Sequence, residues 1–310
     1  MKRVIVTGAT GFIGRHSIMP LLERGYEVHA VSSSPQTPSP FLDIHQHQCD
    51  LLDPIQTQNL IQKVSPTHLL HFAWYVAPGR YWTSPMNLNW VQASLNLLQV
   101  FHKYGGQRVV MAGTCAEYDW SQQICHGICQ GVCHEEKTPL NPSTLYGACK
   151  AALYQIMQAY TKEVGLSSAW GRIFMLYGPH EYPTRLVPGI IQSLMRQEVA
   201  KCTHGKQRRD FMHVSDVANA FVTLLDSTLE GAINIASGES VTLKTVIEKI
   251  ASKFQLPDHI HYGAINSPPN DPEQIIADIS RLKNELKWTP QKSLDIGLDE
   301  TIDWWKQTDS

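Results

Sequence analysis

The strongest constraint on the fold is a glycine-rich turn near the start of the 310-residue chain. Residues 7–14 read TGATGFIG, a β-branched stretch (residues 3–6) precedes them, and a helical pattern follows over residues 15–24. A strand, a tight glycine turn and a helix form a dinucleotide site, because a pyrophosphate must approach the backbone closely and the helix N-terminus stabilises its charge. The sequence therefore predicts a dinucleotide site at this turn.

Strand and helix patterns alternate through the first half of the chain, which predicts a parallel sheet covered by helices on both faces. After the second strand, residues 26–31, the pattern predicts a third strand ending near residues 48–51 and further strands at 68–73, 107–112, 168–176, 208–214 and 231–235. It predicts helices at residues 54–64, 85–104, 143–164, 186–197, 216–225 (capped by Asp216), 242–254 and 278–286. The fold class is therefore α/β, a Rossmann-type doubly wound parallel sheet with a smaller mixed α/β region at the C-terminal end.

Composition excludes several classes of function. The formal net charge of −2 gives no electrostatic basis for binding nucleic acid or an anionic membrane surface. The chain has no apolar run near eighteen residues and no signal-peptide pattern at its start, so we expect no membrane partner and a soluble, cytoplasmic protein. Seven cysteines, an odd number in a long chain, indicate free thiols in a reducing compartment.

A tyrosine and a lysine share one face of a predicted helix. Tyr146 and Lys150 are four residues apart, so their side chains lie on the same side. A neighbouring ammonium stabilises a phenolate, lowers the tyrosine pKa and makes the pair useful for moving a proton. The spacing alone is common, but here the glycine turn lies upstream and Thr114 ends the strand before this helix.

Together, the glycine turn, Gly113-Thr114 and Tyr146-x-x-x-Lys150 make the chain resemble the short-chain dehydrogenase/reductase superfamily, specifically its extended branch that modifies nucleotide sugars. The resemblance runs from the glycine turn to about residue 290. It implies that Tyr146 is the general acid/base, that Lys150 lowers its pKa and holds the nicotinamide ribose, and that Thr114 orients the substrate. Asn89 falls at the asparagine of the helix before that strand.

The same resemblance divides the chain. Residues 1–176 correspond to the dinucleotide-binding domain, to which residues 213–236 return, and residues 177–212 and 237–310 form the substrate-binding region. Members of this branch are often dimers, so we expect a homodimer that packs the helices around Asn89 and Tyr146 together.

The cofactor is predicted to be NADP, with NAD as the alternative. An acidic residue at the end of the second strand would bind ribose hydroxyls and repel a 2′-phosphate, but this position is Ser32, followed by Ser33, with Arg15 just beyond the glycine turn. Asp50 matches the acid that meets the adenine amino group. The residues expected at the cofactor are Thr7, Gly8, Thr10, Gly11, Phe12, Ile13, Gly14, Arg15, Ser32, Ser33, Asp50, Leu51, Phe72, Ala73, Tyr146 and Lys150.

A nucleotide-diphosphate sugar is the substrate that the resemblance implies. Arg209 matches an arginine that binds the substrate diphosphate, a role that suits the guanidinium fork, and Arg185 is a second candidate. His180 is placed near the sugar. The residues expected at the substrate are Tyr75, Thr114, Cys115, His180, Arg185 and Arg209. The aromatic residues Trp74, Tyr75, Tyr81 and Trp82 either stack on substrate or pack in the core.

The residues after Thr114 discriminate between reactions. The 4,6-dehydratases of the branch carry an Asp-Glu pair there, whereas this chain has Cys115 and Ala116. The 3,5-epimerases place a cysteine at the position of Ala116, together with a histidine matching His180. A reductase of a 4-keto-6-deoxysugar requires the least, and we favour it. A C4 or 3,5-type epimerase with tightly bound NAD and a non-catalytic dinucleotide-binding sensor are the alternatives.

Three cysteines recur every four residues in one loop: Cys125, Cys129 and Cys133, with His126 and His134 between them. Cysteine and histidine are common zinc ligands, but this spacing differs from that of known zinc sites. We therefore predict thiols on a loop near the substrate and no metal site.

Overall fold

The computed structural model describes residues 2–34, 44–120, 131–268 and 271–308. The strands are β1 (Arg3–Thr7), β2 (Glu27–Ser32), β3 (Ile44–Gln48), β4 (His68–His71), β5 (Arg108–Thr114), β6 (Val132–Cys133), β7 (Ser167–Ile173), β8 (Met175–Tyr177), β9 (Ala200–Lys201), β10 (Arg208–Arg209), β11 (Phe211–His213), β12 (Gly231–Ile235), β13 (Val241–Thr242), β14 (Ile260–His261) and β15 (Gln274–Ala277). The helices are α1 (Gly14–Glu23), α2 (Pro54–Val64), α3 (Met86–Lys103), α4 (Leu145–Val164), α5 (Leu186–Met195), α6 (Val214–Leu225), α7 (Leu243–Phe254) and α8 (Leu294–Thr308).

The largest sheet has seven parallel strands in the order β3-β2-β1-β4-β5-β7-β12. Alternate residues of β1 enter different cores, because Val4 and Val6 pack with α1 and α6 whereas Ile5 packs with α2, α3 and α4. Helices therefore cover both faces, and the predicted α/β fold with a doubly wound parallel sheet is confirmed.

The strand order reverses between β1 and β4, two neighbouring parallel strands whose carboxyl ends lie side by side at one edge of the sheet. In open parallel sheets the crevice for ligands lies beyond the carboxyl ends of the strands at such a reversal. The glycine turn follows β1, Phe72 and Ala73 follow β4, and Thr114 ends β5, so all of these residues lie at this edge.

A second sheet, in the order β13-β10-β15-β6, combines strands of the C-terminal region with β6, which precedes α4. Helices α5, α7 and α8 share a third core, which includes Ile191, Ile247 and Leu298. Strand β12 returns to the large sheet beside β7. The division into two domains stays a prediction. Across the described ranges, no helix has both the length and the apolar character needed to cross a bilayer.

Several predicted elements are wrong in detail. The strand predicted over 208–214 is two strands in different sheets, because Asp210 turns its carboxylate to the backbone N–H groups of Ser237 and Gly238. The strand predicted over 168–176 likewise divides into β7 and β8, and the helix predicted over 278–286 is a short π-helical turn, Arg281–Glu285.

The capping role predicted for Asp216 is also wrong, because α6 begins two residues earlier. Its N-cap is His213, whose side chain accepts from the Ser215 N–H. Asp216 lies in the first turn and accepts instead from the backbone N–H groups of Gln291 and Lys292. It therefore anchors the segment that leads into α8.

Candidate active site

The glycine turn has the tight geometry that a pyrophosphate requires. Gly8 has φ +66°, a conformation that side chains with a Cβ rarely adopt. A Cβ on Gly14 would lie 2.2 Å from the Gly8 oxygen, so only glycine lets α1 begin against the turn. Thr10 and Gly11 are exposed at its tip, while Phe12 and Ile13 are half-buried beneath it. The residues present therefore fit a dinucleotide phosphate at the start of α1.

Thr7 connects the ends of β1 and β4. Its Oγ1 lies 2.7 Å from His71 Nδ1 and accepts from the Ala73 N–H at 3.3 Å. His71 is buried, and its Nε2 lies 2.9 Å from the Ser94 hydroxyl on α3. Burial, with the nearby Lys150, lowers the pKa of His71 to about 3, so the ring is neutral. This chain of hydrogen bonds sets the spacing of the two strand ends at the crevice.

The residues predicted to select the cofactor lie together beyond β2. Arg15 donates to the carbonyl oxygens of Thr10 and Gly11, and Thr10 Oγ1 donates to Ser32 Oγ at 3.3 Å. Ser33 is exposed next to them. Further along, Asp50 is exposed and accepts from the Leu52 N–H, whereas Leu51 is buried in the core.

The structure brings Thr114 and Tyr146 into contact. Thr144 caps α4 by accepting from the Gly147 N–H, which places Tyr146 in the first turn. The Thr114 side chain lies next to that of Tyr146, and both residues are buried. Burial, with a smaller contribution from Tyr81, raises the pKa of Tyr146, whereas the neighbouring Thr114 hydroxyl lowers it. The lowered pKa expected for Tyr146 is therefore wrong for this structure, and the phenol carries its proton.

Lys150 lies beside the same strand end. Its Nζ donates to the Ala112 oxygen at 2.8 Å and lies 3.7 Å from the centre of the Trp74 ring. Burial lowers the pKa of Lys150 to about 7, although the Glu117 carboxylate raises it. The ammonium is thus held by a carbonyl dipole and an aromatic face.

A buried ion pair behind Thr114 was missed by sequence analysis. Glu117 Oε1 accepts from the Thr114 N–H at 2.8 Å and from Trp170 Nε1 at 2.9 Å, and Glu117 Oε2 accepts from Arg172 Nε at 2.7 Å. Glu117 and Arg172 are fully buried. One carboxylate thereby holds the backbone of Thr114 directly and ties it to Trp170 and Arg172 on β7.

The aromatic loop encloses Tyr146. The rings of Tyr81 and Trp82 meet the Tyr146 ring edge to face at 4.9 and 5.7 Å, and the Tyr146 N–H donates to the Trp82 oxygen. Trp74 is buried and donates to Asn87 Oδ1, whereas Tyr75 is half-buried. Of the two interpretations, core packing therefore holds for Trp74 and Tyr81.

The prediction for Asn89 is wrong. Asn89 is exposed on α3, where its amide contacts Met86 Sδ. The buried asparagine is Asn87, which donates to the oxygens of Tyr81 and Ser84 and accepts from Trp74. Two residues along a helix turn a side chain by about 200°, which moves Asn89 away from the site. Asn87 holds the aromatic loop in place.

The two candidate arginines differ. Arg209 is buried, donates to Asp271 Oδ1 at 2.6 Å, and has its pKa lowered by burial. Arg185 is exposed at the start of α5, and its guanidinium lies 5.7 Å from the centre of the Tyr81 ring. Because Tyr81 contacts Tyr146, Arg185 offers a guanidinium close to the catalytic candidates, whereas the charge of Arg209 already has an acidic partner.

His180 and Cys115 are placed differently from each other. His180 is exposed, and its ring lies 4.4 Å from Trp304 on α8 and 6.2 Å from His16 on α1. Burial, with Arg15 and His16, lowers the pKa of His180 to about 4. Cys115 is buried, and burial raises the pKa of its thiol.

Glu181, the residue after His180, is an acid that sequence analysis did not single out. It is buried, and burial raises its pKa to about 8 although Arg185 lowers it. Its Oε2 atom has no hydrogen-bond partner among the described residues. Of the cysteine loop, Cys125 and Cys129 lie outside the described residues, and Cys133 is buried in β6.

Comparisons with known proteins support these observations. Residues 4–236 match the model of the NAD dependent epimerase/dehydratase family. The chain is 25% identical to the UDP-glucose 4-epimerase of Rhizobium leguminosarum bv. trifolii, over 98% of this chain and 97% of that protein. It is also 25% identical to the dTDP-D-glucose 4,6-dehydratase of Mus musculus, over 99% of this chain and 89% of that protein.

Solved structures agree with this assignment. The UDP-glucose 4-epimerase of Thermus thermophilus, in complex with NAD, aligns with a TM-score of 0.85 at 25% identity, over 98% of this chain and 99% of that chain. The family match covers most of the chain and includes the glycine turn, Thr114, Tyr146 and Lys150. The chain therefore belongs to the NAD dependent epimerase/dehydratase family and is an enzyme of the extended short-chain dehydrogenase/reductase type.

Proposed function

We propose that this chain is a nicotinamide-dinucleotide-dependent oxidoreductase of nucleotide-activated sugars that reduces a 4-keto-6-deoxysugar. The observation that carries the proposal is that Thr114, Tyr146 and Lys150, all buried, come together at the end of β5, where Lys150 Nζ donates to the Ala112 oxygen. The matched proteins named above act on sugars carried by UDP or dTDP, which supports the substrate class.

The chain's own groups supply the proton side of a carbonyl reduction. When bound, a reduced nicotinamide supplies the hydride. The Thr114 hydroxyl orients the sugar carbonyl, and the Tyr146 phenol, protonated because burial raises its pKa, donates its proton to the carbonyl oxygen. Lys150, with a pKa near 7, stabilises the phenolate that remains until it is reprotonated. Ketone, hydride and proton together give the alcohol.

A 4,6-dehydratase, which removes water, and a 3,5-epimerase, which inverts C3 and C5, would each need further acids and bases. Cys115 and Ala116 occupy the positions where a dehydratase has its Asp-Glu pair, and the Cys115 thiol is buried and protonated. The acid in the same turn, Glu117, is fully buried and paired with Arg172. These residues argue against a 4,6-dehydratase and against a 3,5-epimerase.

A UDP-sugar 4-epimerase is the second candidate. The full-length likeness to two UDP-glucose 4-epimerases, one of them in complex with NAD, favours it. Such an enzyme would oxidise C4 before reducing it again, so Tyr146 would have to accept a proton first. Because a reduction needs only a hydride, one proton donor and a site for the ketosugar, the reductase remains our first proposal.

We propose NADP as the preferred cofactor, because Ser32 and Ser33 at the end of β2 and Arg15 beside the glycine turn offer hydroxyls and a cation to a 2′-phosphate, and none of them is a carboxylate. Arg185 is proposed to bind the substrate diphosphate, and Arg209 to contribute to this binding while it keeps its ion pair with Asp271.

A homodimer formed through α3 and α4 stays a prediction; Leu88 and Ile156 are exposed apolar residues on these helices.

One assay tests these proposals. The purified chain is mixed with NADPH or NADH and with 4-keto-6-deoxysugars on GDP, CDP and dTDP, and the absorbance of the reduced nicotinamide is followed. Substrate-dependent consumption, faster with NADPH, is expected. A changed sugar from a UDP-hexose without net consumption, detected by NMR, would establish the 4-epimerase instead. Loss of water from a dTDP-hexose would overturn both candidates, and no conversion of any sugar would support a dinucleotide-binding sensor.

A further inference from the structure

Three histidines and a glutamate share one face of the sheet edge formed by β2 and β3. Glu27 and His29 are two residues apart on β2, and His45 and His47 are two residues apart on β3, so each pair points to one face. The parallel register places His29 opposite His45. These residues line an open cleft of about 490 Å³ with Arg3 and Lys63.

The ligand atoms of three of these side chains are close together. Glu27 Oε1 lies 3.0 Å from His29 Nε2 and 3.8 Å from His45 Nε2, and the three atoms all lie within 4.8 Å of one another. Tetrahedral Zn²⁺, bound at about 2.0–2.2 Å, holds neighbouring ligand atoms roughly 3.3 Å apart. Small side-chain adjustments would therefore give three bonds to one ion, with water as the fourth ligand.

The fourth residue prepares His29 for this role. A metal bond at His29 Nε2 requires the ring proton to lie on Nδ1, and His47 Nε2 lies 2.8 Å from that atom, where it can accept the proton in a hydrogen bond. Metal-bound histidines usually have such a partner on their second nitrogen.

The cationic neighbours leave one ligand oxygen available. Arg3 Nε donates to Glu27 Oε2 at 3.3 Å, while Glu27 Oε1 lies within hydrogen-bond distance of His29 Nε2, a contact that a metal ion between the two atoms would replace. Lys63 borders the cleft. His45 is mostly exposed, which gives an ion access, while His29 is nearly buried. The site thus combines a buried ligand, an exposed ligand and a carboxylate oriented by an arginine.

We propose that Glu27, His29 and His45 form a zinc site with three protein ligands, supported by His47, that joins edge strand β3 to β2. The site lies near the amino ends of the strands, away from the carboxyl ends where the cofactor is expected. Strand β3 pairs only with β2 in the described sheet, so a metal bridge between them would add a link that hydrogen bonds alone do not provide.

A zinc titration monitored by isothermal calorimetry tests the proposal. Wild-type protein, stripped with a chelator, is compared with His45→Gln, with His47→Gln and with His261→Gln, an exposed histidine on β14 that serves as the control. We expect His45→Gln to lose one bound zinc per chain, His47→Gln to bind that zinc 10- to 100-fold more weakly, and the control to match the wild type. Because His45 is exposed, its replacement is expected to leave the fold intact, which circular dichroism checks.

Two further readouts separate this site from binding by cysteine. Cobalt in place of zinc should give a spectrum without thiolate charge transfer, and the corresponding signal should disappear in His45→Gln. Zinc should also raise the melting temperature of the wild type and leave that of His45→Gln unchanged. Equal zinc stoichiometry and affinity in the wild type and His45→Gln would overturn the proposal and leave the histidines as hydrogen-bonding partners of β2 and β3 only.

Discussion

The groups proposed for chemistry and those proposed for recognition are held in different ways. Thr114, Tyr146 and Lys150 are buried, and Glu117 fixes the backbone of Thr114 from behind. Arg185, by contrast, is exposed and rests on an aromatic ring. On the proposed function, proton transfer would depend on a buried network, whereas recognition by Arg185 would depend on a side chain that substitution can alter without unfolding the protein.

The largest expected effect is on the chemical step. Replacing Tyr146 with phenylalanine removes the proton donor, and we expect kcat to fall by about 10²- to 10⁴-fold while the cofactor still binds. The matched control is Tyr160→Phe, farther along α4, which should keep wild-type kcat. Steady-state kinetics and cofactor titration measure both quantities. A Tyr146→Phe enzyme with most of its activity would remove the tyrosine from the mechanism.

The next effect concerns the network behind Thr114. Glu117→Gln would leave the Arg172 guanidinium buried without its counter-ion, and we expect the free energy of unfolding to fall by about 3–5 kcal/mol. Glu163→Gln, an exposed change on α4, should stay within about 0.5 kcal/mol of the wild type. Urea denaturation compares the two. A small loss for Glu117→Gln would show that Thr114 is held by other contacts.

Local spacing explains what sequence could predict about this network. The glycine turn and the Tyr146–Lys150 pair are signals within one turn or one helix, so both were visible. Glu117 and Arg172 meet only after β5 and β7 pair, and nothing near either residue indicates the other. Asn89 was chosen from a motif two residues from the buried Asn87, an error that only the orientation of α3 reveals.

The C-terminal region shows the same limit. Its strands β9, β10, β13 and β14 have two residues each, too few for any periodic pattern. Helix α8 was not predicted and contains Gly297, a poor helix former. The structure gives the reason for this glycine, since a Cβ there would lie 2.2 Å from the Tyr177 hydroxyl oxygen. A tertiary contact thus selected a residue that local propensity disfavours.

The buried acid Glu181, near Arg185, is expected to have a pH-dependent effect on the free energy of unfolding that is smaller than the effect of Glu117→Gln. Glu181 has a pKa of about 8 in the fold, above its value in the unfolded chain. Between roughly pH 4.5 and 8 the unfolded chain has lost this proton while the folded chain keeps it, so stability falls as pH rises through this window. Glu181→Gln should abolish that decline, and its free energy of unfolding at pH 8 should exceed that of the wild type by about 2–4 kcal/mol.

Unfolding of Glu181→Gln in urea at about pH 5 and pH 8 measures this change. The control is Glu198→Gln, an exposed residue beyond α5 that should retain the wild-type pH dependence. Equal slopes for the wild type and Glu181→Gln would mean that the buried carboxyl ionises normally.

The smallest effect tests recognition itself. Arg185→Ala removes an exposed guanidinium, so the melting temperature should not change. We expect KM for the nucleotide sugar to rise about tenfold and kcat to stay near the wild-type value. This pattern is expected when a charged hydrogen bond of about 1.5 kcal/mol is lost equally from the ground state and the transition state. Arg196→Ala, at the other end of α5, is the control. Arg209→Ala should behave in the opposite way and lower the melting temperature, because Asp271 loses its partner. An Arg185→Ala enzyme with unchanged KM would place the diphosphate on Arg209 and show that recognition, too, uses the buried side of the molecule.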